Sequence, residues 1–63
     1  MHNPDQALYF QTVLDISEMI GQNKVLLDLE HRPEKKLAIR QHISKMETLQ
    51  NQVKTAYLNS LSR

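Results

Sequence analysis

Ile39-Arg40-Gln41-His42-Ile43-Ser44-Lys45-Met46-Glu47-Thr48-Leu49-Gln50-Asn51-Gln52-Val53-Lys54-Thr55-Ala56-Tyr57 is the stretch that decides the fold. Its apolar residues, continued by Leu61, recur in steps of three and four. That spacing places them on one face of an α-helix, while the residues between are nearly all polar. No glycine interrupts the run, and Pro33 stands at its head. Proline lacks an N–H and clashes with a preceding helical turn, so it opens a helix more readily than it continues one. Residue 32 is biased away from helical geometry. The spacing therefore predicts a helix over about residues 33–61, with Glu34 favourably placed in its first turn.

Upstream, Asn3-Pro4-Asp5-Gln6 reads as a helix start: Asn3 as N-cap, Pro4 at the first helical position, Asp5 complementing the dipole, and Gln6 reaching back toward the cap. A first helix is predicted over about residues 4–30. Its main apolar stripe is Tyr9, Val13, Ile16, Ile20 and Leu27. The stripe keeps phase across Gly21, which predicts one continuous helix; the alternative is a helix ending there, with 24–30 as a separate piece. The turn at residues 31–32 is short, so the helices are expected to be antiparallel neighbours, each roughly 40 Å long at 1.5 Å per residue. The expected architecture is a single all-α domain over 1–63, a two-helix antiparallel hairpin. Its seam sets Tyr9, Val13, Ile16, Ile20 and Leu27 against Ile39, Ile43, Met46, Leu49, Val53 and Tyr57. Antiparallel order puts Ile20 beside Met46 or Leu49, and Tyr9 beside Tyr57.

The first helix carries more apolar surface than one partner helix can cover. A flanking set is Leu8, Met19 and Leu26; on the far side lie Ala7, Leu14, Val25 and Leu29. These residues, chiefly Leu14, Val25 and Leu29, are the candidate partner-binding surface. A hairpin of 63 residues without cysteine has little core and no disulfide to support it. Completion by self-association or by a helical partner is the expected remedy.

Composition narrows the function. The net charge is +1 with signs mixed, and no basic tract offers phosphate contacts, so nucleic-acid binding is not expected. No apolar run approaches the roughly 20 residues of a membrane span, and the first residues lack a basic segment followed by an apolar one. A soluble cytoplasmic protein is expected. His2, His31 and His42 form no metal-ligand spacing, so neither metal nor other cofactor is expected. The carboxylates Asp15, Glu18, Asp28, Glu30, Glu34 and Glu47 converge on no cleft that would raise a pKa for acid–base work. One glycine cannot build a phosphate loop, and the serines have no triad context. The expectation is a protein that is not an enzyme.

The turn and the opening of the second helix read Leu29-Glu30-His31-Arg32-Pro33-Glu34-Lys35-Lys36-Leu37-Ala38-Ile39-Arg40-Gln41. A long helix, a short linker ending in Pro-Glu and a Gln-rich amphipathic second helix resemble the small E-type co-chaperones of type III secretion needle subunits. The resemblance covers most of the chain and implies a hairpin that binds a tetratricopeptide-like co-chaperone. That pair would keep the needle subunit unpolymerised before export. The competing expectation is a self-associating four-helix-bundle dimer acting as a small regulatory protein.

Overall fold

The computed structural model describes residues 4–61, with side chains from Gln6 onward. Two helices, α1 (Pro4–Leu29) and α2 (Pro33–Leu61), form an all-α hairpin. It measures 50 × 14 × 10 Å. The proposed cap at Asn3 and the Asp5 side chain lie outside the described residues. α1 is continuous through Gly21, whose φ is negative, as φ is throughout the described chain. It ends one residue before the expected Glu30, because Glu30 turns its carboxylate toward the loop.

The loop is closed by short-range bonds. The Glu30 N–H reaches the Leu27 carbonyl at 3.4 Å and tightens the last turn of α1. The Arg32 carbonyl accepts from the N–H groups of Lys35 (3.1 Å) and Lys36 (2.9 Å), so Arg32 caps α2 and Pro33 takes the first helical position. The Glu30 carboxylate accepts from the Arg32 backbone N–H at 3.1 Å and from its Nε at 2.9 Å. Asp28, four residues before Arg32, is not its ionic partner.

The core is small. Ile16, Ile20, Ile43 and Met46 are buried, two from each helix, with Leu27, Ile39 and Val53 packed against them. Burial continues outward in alternating steps of three and four. On α1 the covered positions include Gln6, Tyr9, Val13, Ile16, Ile20, Asn23, Leu27 and Glu30; on α2 they include Lys36, Ile39, Ile43, Met46, Gln50, Val53, Tyr57 and Ser60. This is the spacing of a coiled-coil seam. One expected seam residue falls out of it. Leu49 is 48% exposed, and Gln50 takes its place. The sequence 39, 43, 46, 50, 53, 57 keeps the 4-3-4-3-4 rhythm, and Leu49 stands about 100° away from it. Gln50 donates through Nε2 to the Val13 carbonyl at 3.3 Å and to the Ser17 hydroxyl. That contact, joining residue 50 to residues 13 and 17, fixes both the antiparallel sense and the register.

Candidate protein-interaction surface

The hairpin leaves apolar surface uncovered, mostly on α1. Leu8, Phe10, Leu14, Met19, Val25, Leu26 and Leu29 are between 44% and 67% exposed. All six side chains expected to reach a partner (Leu8, Leu14, Met19, Val25, Leu26 and Leu29) are therefore exposed in the hairpin. Phe10 belongs with them. It lies one turn before Leu14 on the same side of the helix, a spacing of four that was available in the sequence. On α2 the exposed large apolar residues are Leu37, Leu49, Leu58 and Leu61.

The helical geometry sorts the α1 residues into two faces. Ile16 and Ile20 point at α2, so Leu14, Val25 and Leu29 point away from it, with Glu18 and Gln22 between them. Leu8, Met19 and Leu26 lie at one edge of the seam. Ser17 lies at the opposite edge, where Gln50 meets it. Because Leu49 is one helical step from Gln50, it flanks the edge of Leu8, Met19 and Leu26. That edge is a shallow two-helix face, apolar on both sides.

Charge is divided as unevenly as apolarity. Within α1, Asp5, Asp15, Glu18 and Asp28 stand against Lys24, a net of −3; within α2, Lys35, Lys36, Arg40, Lys45 and Lys54 stand against Glu34 and Glu47, a net of +3. Among the described residues the ion pair found is Glu30 with Arg32, inside the loop, and none joins the two helices. The charges facing outward are thus available to another chain. The Glu30 carboxyl is held down to about 2 by its side-chain and backbone hydrogen bonds from Arg32.

Polar side chains on the helix surfaces mostly bond within their own helix. Thr12, Asn23, Thr48 and Thr55 each donate to the carbonyl four residues earlier. Gln11 donates to Asp15 at 2.9 Å. No buried side-chain nitrogen or oxygen lacks a partner among the described residues. No group of three histidine, cysteine or acidic side chains among them could hold a metal ion, and no helix is long and apolar enough to cross a membrane.

No protein-family model matches the chain, and no curated protein or solved structure matches it either.

Proposed function

We propose that the chain is a non-catalytic interaction module of the co-chaperone kind, a hairpin that stabilises a secretion-system partner before export. The observation that carries this reading is the uncovered apolar surface of α1, above all Leu14, Val25 and Leu29 on the side turned away from α2. Fully covering a leucine or valine contributes on the order of 1.5–3 kcal/mol. A hairpin with four buried core residues gains much from a partner that covers three more. A tetratricopeptide-like co-chaperone would cover this surface by receiving the helix through its apolar positions in a groove. The opening of α2, Pro33-Glu34-Lys35-Lys36, directs the reading to that family of partners, with the needle subunit as the protein being held.

Leu14→Asp with Leu29→Asp tests it. Both residues lie outside the seam, so the helical circular dichroism of the double variant should stay near that of the wild type. Light scattering with a tetratricopeptide-like needle co-chaperone should show a complex for the wild type and none for the variant. Equal behaviour of the two proteins toward that partner would overturn the reading.

A further inference from the structure

We propose that the edge formed by Leu8, Met19 and Leu26 of α1 with Leu49 of α2 is a self-association face, and that it seats a second copy of this chain with its α1 on the first copy's α2. This face is distinct from the Leu14–Leu29 side assigned to a partner above, so the two readings stand or fall separately.

Area supports a second copy. The chain exposes 5149 Å². A compact monomer of 7.4 kDa exposes about 4,200 Å² by the usual scaling of surface with mass. The excess, roughly 900 Å², belongs to the elongated shape, whose long sides leave room for the ~800 Å² that each partner buries in a standard interface. The apolar edge runs along both helices, so two hairpins can lie on each other lengthwise and close a four-helix bundle.

Charge then chooses the arrangement. Two hairpins stacked on one face by a two-fold axis have two options. An axis across the helices places α1 on α1′ and α2 on α2′, with the loops at opposite ends. An axis along the helices places α1 on α2′ and α2 on α1′, with the loops at the same end. At this edge α1 carries Asp15 and α2 carries Lys35 and Lys45, so the first arrangement sets like charges over like and the second sets Asp15 over the basic helix twice. The second also preserves axial level, because rotation about the helix direction does not move a residue along it. The Gln50 contact sets α2 residue 50 level with α1 residues 13–17. The same register carries Leu8 opposite Ala56 and Leu26 opposite Ala38 of the second copy, and brings Met19 within about one residue of the level of Leu49. Leucines at the ends meet alanines, and Met19 and Leu49 meet near the centre.

The test needs three measurements on the full chain. Sedimentation equilibrium of the wild type should give twice 7.4 kDa. Met19→Lys should raise the dissociation constant on the order of 100-fold or more, because the two-fold axis removes each contact twice. Met19 and Leu49 are both exposed in the hairpin, so helicity should hold, and Leu49→Lys serves as the second variant should Met19→Lys lose it. The chain has no cysteine, so His31→Cys introduces a unique labelling site in the exposed loop. Spin labels there should report a distance set by neighbouring helices roughly 10 Å apart plus the label arms. A separation near the 50 Å length of the hairpin would overturn the pairing of α1 with α2′. A monomer at roughly 100 μM, where an interface of this size should assemble, would overturn self-association altogether. So would a dimer that both lysine variants leave intact.

Discussion

α1 and α2 contribute equally to the core, two buried residues each, yet they are built on different plans. In α2 the apolar residues gather toward one side, and most of the remaining surface is polar and basic, with Leu37 and Leu58 as exposed exceptions. In α1 half of the 26 residues are apolar and they are spread around the whole circumference, so no single direction dominates. A helix that needs one neighbour reads like α2. A helix that is apolar on several sides is built to be covered on several sides. The contrast locates most of the uncovered apolar surface of the hairpin in α1, and it holds inside a single chain, where both helices share one core and one set of solvent conditions.

The sharpest way to break that contrast is to cut equal side chains from the two sides of α1. Ile16 is 3% exposed and Leu29 is 67% exposed. Ile16→Ala should destabilise the hairpin by about 2–5 kcal/mol, because it opens a cavity in a core of four side chains. Leu29→Ala should change the stability of the isolated hairpin by less than about 0.5 kcal/mol. Urea unfolding of both variants, measured below any self-association, checks the pair. Comparable losses would mean that the outer face of α1 is already covered within the chain.

Gly21 gives a smaller effect of opposite sign. A Cβ built there meets nothing within 4 Å, and its φ is negative. Nothing in the hairpin therefore requires glycine, which is less favourable than alanine in a helix interior by about 1 kcal/mol. Gly21→Ala should raise the midpoint of thermal unfolding by several degrees for a domain of this size. Stabilisation of the isolated hairpin together with weaker binding to another chain would mark Gly21 as a point of close helix approach. A lower melting point would mean that α1 is strained at that position.

The same contrast explains what could be read from the sequence. The boundaries of α2 followed from periodicity, because apolar side chains occupy most of its covered positions. Periodicity identified Leu49 by its chemistry and passed over Gln50, although the 4-3-4-3-4 rhythm from Ile39 to Tyr57 passes through residue 50. α1 has a matching case in Asn23, which is in phase with Ile20 and Leu27 and half-buried, its amide donating to the Met19 carbonyl at 2.9 Å. A polar residue at a seam position lowers the apolar signal while obeying the geometry, and its role in fixing register appears only when its partner across the seam is known. The sorting of exposed residues into two faces was hidden for a related reason. It depends on which edge of the seam each helix presents, and a single cross-helix contact, Gln50 with Ser17, settles it. The identity of a partner is beyond either level, since an apolar surface fixes the chemistry of what covers it and not the sequence.

The smallest effect is expected where the two helices join. Glu30 accepts three bonds from Arg32: the backbone N–H, Nε at 2.9 Å and Nη2 at 3.4 Å. The first two hold the loop in the shape from which the Arg32 carbonyl starts α2. They also hold the Glu30 carboxyl well below its ordinary value of 4.5, at about 2. A carboxyl whose folded pKa is depressed stabilises the fold above its unfolded pKa and loses that contribution as pH falls through the folded one. The window therefore runs from about pH 4.5 down to about 2. The Arg32 side chain is 59% exposed and that of Glu30 19%, so water and salt screen the pair from the Arg32 side. Glu30→Gln should lower the melting temperature slightly at pH 7 in low salt, and less at high salt. The difference from wild type should shrink across the window and vanish at its acid end, where both proteins carry a neutral side chain at residue 30. A gap that persists unchanged to pH 2 would show that residue 30 supports the turn through shape and neutral hydrogen bonding. In that case Pro33 and the bonds to the Arg32 carbonyl, and not the ion pair, would define where the helix plan of α1 gives way to that of α2.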